Sequence, residues 1–378
     1  MQKEVLILSS NDWNFLWQRH QTLASFFLNS GWKVVFVEGT RITDPRLKDI
    51  YRIIFKKILG FGSGYRNPVP DKLIKFKVQF LPPTYRLFRK INRKYLIPIL
   101  LNKIKKAKIK NPLVIAYLPT DTTLNILKNI NYSFLIYDCV VNFPGIEGAP
   151  QDIKDTEREL ALISDLIITD SDFLYKKMLN FFPEKTYQIL PGVHFDIFSK
   201  ADNGRVKRIK TLCFFGGINS NRLDLDMIFS VAKKREDLEF VFIGPIKSEL
   251  KDIPKNVTFK PPVRINVLPE KLINCDCIIL PYKNNEWTKG VIPSKIFESF
   301  ATGKPVIVSG IEENISRFKD VLYTVSSSEE FLKLLEKIPE LETEEKYIKR
   351  KKLAIENSWE KRFDQLMNLI EKKLEQKE

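Results

Sequence analysis

Short apolar runs alternate with amphipathic stretches along most of the chain. Val5-Leu6-Ile7-Leu8 has the pattern of a short buried strand, and residues 9–14 after it are a polar loop. Residues 18–30 place Leu23, Ala24, Phe27 and Leu28 on one face at helical spacing, with Gly31 as the stop. Residues 34–37, 113–116, 134–137 and 166–168 are further apolar runs. A polar, basic stretch follows at 199–210, with the turn pair Asn203-Gly204, and is predicted to be a linker. Then the pattern restarts. Residues 212–215 run into Gly216-Gly217, 223–234 are helical, 240–243 end at Gly244-Pro245, and 277–280 and 306–308 are strands. Residues 344–378 are charged and helical, with Trp359, Phe363, Leu366, Met367 and Ile370 at helical spacing. Strands alternating with helices predict α/β architecture: two Rossmann-like, doubly wound domains with parallel sheets. A length of 378 residues agrees, being more than one core usually serves. The predicted divisions are 1–198, a linker at 199–210, 211–343, and a helical segment at 344–378.

One region breaks the alternation. Leu47, Ile50, Ile54 and Ile58 recur at helical spacing, with Lys48, Arg52, Lys56 and Lys57 on other faces. Residues 85–110 repeat the theme with Leu87, Phe88, Ile91, Tyr95 and Leu96. Residues 41–110 hold 20 Lys and Arg against 3 Asp and Glu, so the chain's net charge of +16 is concentrated in this basic amphipathic insertion. A localised basic field attracts an anionic partner. Helices with Lys and Arg on one face and Phe or Ile on the other suit an anionic membrane surface. Packing on their own domain with a solvated basic face is the alternative.

Composition narrows the rest. Hydrophobic residues make up 44% and charged residues 29%, as in a globular protein. No apolar run approaches the roughly 18 residues that span a bilayer, and the N-terminal residues enter a strand pattern directly. A cytoplasmic location is expected. Cys139, Cys213, Cys275 and Cys277 sit in apolar runs and read as buried thiols. With two histidines in the chain, ligands for a metal at Cys275-Asp276-Cys277 are too few, and no metal or cofactor is expected.

The segment richest in chemistry is Pro293-Ser294-Lys295-Ile296-Phe297-Glu298-Ser299-Phe300-Ala301-Thr302-Gly303-Lys304-Pro305. Pro293 suits a first helical position and Gly303 a helix stop. Ile296, Phe297, Phe300 and Ala301 form a buried face, while Lys295 and Glu298 share the opposite side. Amides near Pro293, Ser294 and Lys295 can bind phosphate, Lys295 adds a cation, and Glu298 can accept hydrogen bonds from ribose hydroxyls. Spacing alone fits equally well a surface helix with a weak Lys295–Glu298 ion pair.

This segment resembles the donor-site motif of GT-B glycosyltransferases, especially the retaining family 4, in which a Pro–Lys–x–x–Glu helix and Ala–x–Gly–x–Pro–Val follow each other. Other segments agree in order. Phe214-Phe215-Gly216-Gly217 resembles the first strand and glycine turn of the family's C-terminal domain, and Phe242-Ile243-Gly244 the next strand. Leu190-Pro191-Gly192-Val193 resembles the end of its N-terminal domain, with His194 where Asp is usual. Asp165 to Ser171 is similar to its "Ala–Asp–hydrophobic–Ser" strand, while Trp17 to Gln21 and Tyr137-Asp138-Cys139 are similar to members that build surface polysaccharides, teichuronic-acid-type enzymes among them.

The resemblance implies a GT-B fold: two domains facing across a cleft, the C-terminal helix packing back on the N-terminal domain, which binds the acceptor. It implies transfer of a sugar from a nucleotide-sugar, with retention and without a metal, to a glycan or a lipid-diphosphate-linked acceptor. The enzyme would be a hexosyltransferase-like, peripheral protein on the inner face of the membrane. Arg222 and Lys295 would stabilise the departing diphosphate, with His20 and Asp138 as further catalytic candidates. Gly216, Gly217, Asn219, Thr288, Pro293, Ser294 and Glu298 would hold the donor. Asn11, Asp12, Trp13 and Arg19, around the carboxyl end of the first strand, would meet the acceptor. Asp12 also suits a helix cap. The chain departs from the family at Gly290, where many members carry a first glutamate; Thr288, Lys289 and Gly290 are expected to line that position. Two rival readings are another enzyme on this fold, such as a nucleotide-sugar epimerase, and a non-catalytic module gripping a polyanion. No nucleic-acid recognition motif is present, and no nucleic-acid partner is expected.

Overall fold

The computed structural model describes residues 2–39, 42, 66–286 and 288–376. It divides into two compact units, one of Met1–Asp170, Leu174–Gln188 and Met367–Glu378, the other of Ser171–Phe173 and Ile189–Leu366.

The first unit is built on a seven-stranded sheet. Its strands are β1 (Glu4–Leu8), β2 (Lys33–Glu38), β3 (Ile74–Lys77), β4 (Leu113–Ala116), β5 (Phe134–Cys139), β6 (Leu166–Thr169) and β7 (Thr186–Gln188). They lie in the order β3-β2-β1-β4-β5-β6-β7, every pairing parallel. The second unit has a six-stranded sheet. Its strands are β8 (Thr211–Phe215), β9 (Glu239–Ile243), β10 (Val257–Lys260), β11 (Cys277–Pro281), β12 (Val306–Ser309) and β13 (Tyr323–Thr324). Their order is β10-β9-β8-β11-β12-β13, again parallel throughout.

The central strands are the unbroken Val, Ile and Leu runs because helices cover both of their faces. Val5, Leu6, Ile7, Phe134, Leu135, Ile278 and Ile279 are almost wholly removed from solvent. Each such side chain contributes about 1.5–3 kcal/mol relative to exposure. In each sheet the strand order reverses direction once, between β1 and β4 and between β8 and β11. A crevice opens beyond the carboxyl ends of the strands at such a point, and open α/β sheets bind ligands there.

The expected divisions need three corrections. Residues 189–198 belong to the second unit, where Val193 bridges to Ser358 and Gly192 packs closely against the Trp359 ring. The 199–210 stretch is tied down within that unit: Lys304 Nζ donates to Asn203 Oδ1 (2.9 Å) and Arg205 donates to the Glu342 carbonyl (2.6 Å). The segment after 343 is two helices, Glu344–Glu356 and Trp359–Glu375, of which the first belongs to the second unit. A buried network holds it. The Arg350 guanidinium pairs with Glu342 and donates to the Gly303 carbonyl (2.9 Å), while Tyr323 donates to Glu342 (2.6 Å). Only Met367 onward groups with the first unit, where Lys373 donates to the Glu184 carbonyl (2.7 Å).

The basic helix expected around 47–58 lies outside the described residues. Its companion is present as helices Arg86–Ile91 and Ile97–Lys106, joined by a π-helical turn Asn92–Leu96. No helix among the described residues is long and apolar enough to cross a membrane.

Candidate functional site

In the second unit, the loops after β8 and β9 are zipped together beyond their strands. Gly216 N–H donates to the Ile243 carbonyl (2.8 Å), Ile218 N–H to that of Pro245 (3.0 Å), and Lys247 N–H to that of Ile218 (2.7 Å). Ser220 N–H then donates to Ser248 Oγ (2.9 Å). The approach is so close that Gly244 is obligatory: its φ is +153°, and a Cβ there would lie 1.9 Å from the Gly216 carbonyl oxygen.

Over this double loop lie side chains from elsewhere. The helix Lys295–Ala301 buries Ile296, Phe297, Phe300 and Ala301, which orients Lys295 and Glu298 to its other side. The Lys295 ammonium crosses Gly216 so tightly that a Cβ on that glycine would meet Lys295 Cε at 2.2 Å and Nζ at 2.8 Å. The Lys247 ammonium lies beside Gly217 at ordinary contact distance, 3.8 Å from where its Cβ would be.

The electrostatics are those of crowded like charges. Burial lowers the Lys295 pKa, Arg222 lowers it further, and Glu298 opposes both. Burial likewise lowers Arg222. For Lys247, desolvation acts first, then the charges of Arg222 and Lys295. Burial raises the Glu298 carboxyl, against Lys295 and a Ser294 hydroxyl that donates to it at 3.4 Å. Buried Tyr282 is pushed up as well, by desolvation and then by Glu298. Lys247, Lys295 and Arg222 together with Glu298, beside a glycine turn at a sheet's reversal point, have the chemistry to hold a phosphate-bearing ligand.

The other expected residues of this unit take structural places. Asn219 organises the turn, its side chain accepting from Asn221 N–H (2.9 Å) and its carbonyl from Arg222 and Leu223. Pro293 and Ser294 precede the helix, whose first residue is Lys295 rather than Pro293. Thr288 corrects the expectation of a donor contact: it is fully buried, and its hydroxyl donates to the Lys283 carbonyl (2.7 Å) inside its own loop. Lys289 pairs with Glu286, and the Gly290 carbonyl accepts from Ser171 Oγ (2.9 Å). His194 caps the short helix Phe195–Phe198 beside Trp359, its pKa lowered to about 4 by burial.

In the first unit, strands β1, β4, β5 and β6 each deliver a polar residue to the carboxyl edge. Arg19 Nε donates to Asp138 Oδ2 at 2.6 Å, and this pair is buried. Tyr117 Oη, Asp138 Oδ1 and Asp170 Oδ1 are buried, and none has a hydrogen-bond partner within normal distance among the described residues, although Tyr117 lies close enough to Asp138 and Arg19 to feel both. Burial works against the Arg19 charge, but Asp138, Tyr117 and Asp170 outweigh it and its pKa stays raised. The Asp170 carboxyl is held well above the usual range by desolvation, with Asp138 adding to the effect and Arg19 opposing it. His20 stacks on Tyr117 with ring centroids 3.7 Å apart, and its two nitrogens face Ser9 Oγ (3.2 Å) and Ser10 Oγ (3.4 Å). Burial and the Arg19 charge lower its pKa to about 3, so the ring is neutral.

Trp13 corrects the expectation of an acceptor contact. It is fully buried, its backbone N–H donating to Glu38 (2.7 Å) and its indole to the Pro68 carbonyl (3.0 Å). Asn11 donates to Gln18 Oε1 (2.8 Å), and Asp12 pairs with Lys77 (3.0 Å) instead of capping the helix. Lys247 and Tyr117 could not be read from the sequence because neither stands in a motif, and Asp170, although inside the Asp165 to Ser171 segment, is not the residue that motif marks; strand register brings them to these edges.

Comparison with known proteins completes the picture. Residues 209–340 match the family described as Glycosyl transferases group 1. TuaH of Bacillus subtilis strain 168, named as a teichuronic acid biosynthesis glycosyltransferase, is 28% identical over 235 residues; the match spans 57% of this chain and 59% of that protein. Among solved structures, sucrose-phosphate synthase from Thermosynechococcus elongatus superposes with a TM-score of 0.70 at 14% identity, over 98% of this chain and 99% of its own. Anabaena HepE, solved with UDP and glucose, gives 0.66 at 12% identity, over 98% and 100%. At such identities the likeness is one of fold, and the fold is GT-B.

Proposed function

We propose that this chain, a glycosyltransferase by its Glycosyl transferases group 1 domain at residues 209–340, moves a sugar from a nucleotide-sugar to a glycan or lipid-diphosphate-linked acceptor in surface polysaccharide synthesis. The observation that carries the reading is the Lys295 ammonium lying across Gly216 of the Gly216-Gly217 turn, within reach of the Arg222 charge, with Glu298 one helical turn beyond Lys295. The diphosphate lies on the cations and the glycine turn. Glu298 accepts from ribose hydroxyls. Among solved relatives of the fold, HepE holds UDP and glucose, which supports a nucleotide-sugar donor here.

Transfer proceeds with retention, as in family 4, and needs no metal because Arg222 and Lys295 supply the positive charge. No enzyme nucleophile is required: the site stabilises the departing diphosphate and holds the acceptor hydroxyl near the anomeric carbon. On the first unit, Tyr117, Asp138 and Asp170 offer polar atoms to an acceptor hydroxyl. The enzyme works in the cytoplasm at the inner membrane face, docked by its basic insertion.

A thermal-shift screen against nucleosides, nucleoside diphosphates and nucleotide-sugars tests this. A nucleoside diphosphate at 100 times its dissociation constant should stabilise the protein by about 2.7 kcal/mol. Stabilisation by none of them would refute the reading, and stabilisation by polyanions of every kind would favour a binding module.

A further inference from the structure

The second unit presents one more cation than its motifs contain. Lys247 follows β9, in a stretch with no resemblance to any donor motif. The geometry points to Lys247 as a further catalytic residue, touching the diphosphate and favouring it as a leaving group over the same diphosphate bound as donor. This rests on the donor-site reading above.

The placement is built into the backbone. Ile218 and Ile246 pair as an isolated parallel bridge, one step beyond the strands, and Lys247 N–H closes the next step onto the Ile218 carbonyl. This rung holds the Lys247 backbone beside the turn, and its side chain lies in contact with Gly217, next to Lys295 on Gly216. The two ammoniums thus flank the same two-residue turn from different loops. Arg222 is the third cation, its own backbone held by the Asn219 turn and by its carbonyl accepting from Lys283 N–H (2.8 Å). The three charges repel one another, and a multiply charged anion relieves that repulsion.

Charge counting shows what such a trio discriminates. A diphosphate linked to a sugar carries about two negative charges, while the free nucleoside diphosphate carries about three, because its terminal phosphate ionises again near pH 6. In the reaction, the bond between the anomeric carbon and the β-phosphate oxygen breaks, and its electron pair stays on that oxygen. The acceptor hydroxyl oxygen forms the new bond to carbon, and its proton is lost to solvent, directly or by way of the departing phosphate. Negative charge therefore grows beside the cations as the bond breaks. Interactions that strengthen along that path accelerate the step, whereas uniform ones only tighten substrate binding. A third cation matches the product's extra charge and belongs to the first kind.

Titration calorimetry and steady-state kinetics on the full chain test this, using the nucleoside diphosphate that the wild type binds, its sugar conjugate and the bare nucleoside. Lys247→Met should weaken the diphosphate by roughly tenfold or more, the sugar conjugate by less, and the nucleoside not at all. Its kcat should fall while the donor KM moves little, and Lys247→Arg should restore most of both. Lys255→Met, the same charge change at an exposed lysine, should match the wild type. Lys247 keeps solvent access, so the variants should melt unliganded as the wild type does; Lys247→Ala serves as a second truncation. Wild-type diphosphate affinity in both truncations, or an equal loss for diphosphate, conjugate and nucleoside, would overturn the assignment while leaving the donor site standing. Failure of the wild type to bind any nucleoside diphosphate would instead remove the donor-site reading, and this one with it.

Discussion

Lys295 and Glu298 could be read from the sequence because a single helix sets both: the apolar face of Lys295–Ala301 is fixed by Ile296, Phe297 and Phe300, and what remains must point the other way. Lys247 could not, because its neighbours are set by the register of β9 against β8. Trp13 and Thr288 show the reverse error. Both stand in loops at sheet edges where ligands are expected, yet both turn inward, the Trp13 indole donating to the Pro68 carbonyl and the Thr288 hydroxyl to the Lys283 carbonyl. His20 gives a residue-scale prediction. Its pKa falls from 6.5 to about 3 on folding, so between those values the unfolded chain binds a proton that the folded chain does not. Stability is full above pH 6.5 and falls as the pH drops towards 3, by about 1.4 kcal/mol per pH unit. His194 adds a similar slope between 6.5 and about 4. Urea unfolding from pH 7 to 4 should show this loss, and His20→Gln should flatten it; an unchanged slope in His20→Gln would contradict the assigned burial of its charge.

Elements were legible in proportion to their burial. The central strands β1, β2, β4, β5, β6, β8, β9, β11 and β12 match apolar runs within a residue or two. The strands that escaped notice are β3, β7, β10 and β13, the four edges of the two sheets. An edge strand is short and partly solvated, so its sequence carries polar and charged residues, as in the Ile-Lys-Phe-Lys of β3. The stretch from Tyr85 through the helices Arg86–Ile91 and Ile97–Lys106 and the turn between them combines exposed Tyr85, Leu87, Tyr95 and Ile99 with Arg86, Lys90, Arg93 and Lys94. On the membrane-docking proposal, the chain should float with vesicles containing phosphatidylserine, lose that binding as salt rises, and bind several-fold more weakly as Leu87→Asp/Ile99→Asp. Binding indifferent to salt, or to both substitutions, would show that these helices only cover their own sheet.

At the scale of the molecule, the alternation of strands and helices gave two parallel-sheet units, while the boundaries between them were harder to see. Sequence marks a linker by polarity, and 199–210 is polar because its side chains bond within the second unit, as Asn203 and Arg205 do. The C-terminal helices were expected as one segment, but Arg350, paired with Glu342 in the core, attaches the first of them to Gly303, just beyond the helix Lys295–Ala301. The helix Lys295–Ala301 is thus clamped beyond its C-terminal end while Lys295, at its start, meets the glycine turn; on the donor-site proposal, this holds Lys295 in place before a donor arrives.

The account's central claim is that these cations serve sugar transfer from a nucleotide, and release of nucleoside diphosphate from a panel of nucleotide-sugars, with and without a glycan acceptor, tests it most directly. The wild type should release diphosphate from at least one nucleotide-sugar, faster with acceptor present, and Lys295→Met should slow that release by about 10²-fold. No release from any nucleotide-sugar, or an undiminished rate in Lys295→Met, would contradict it.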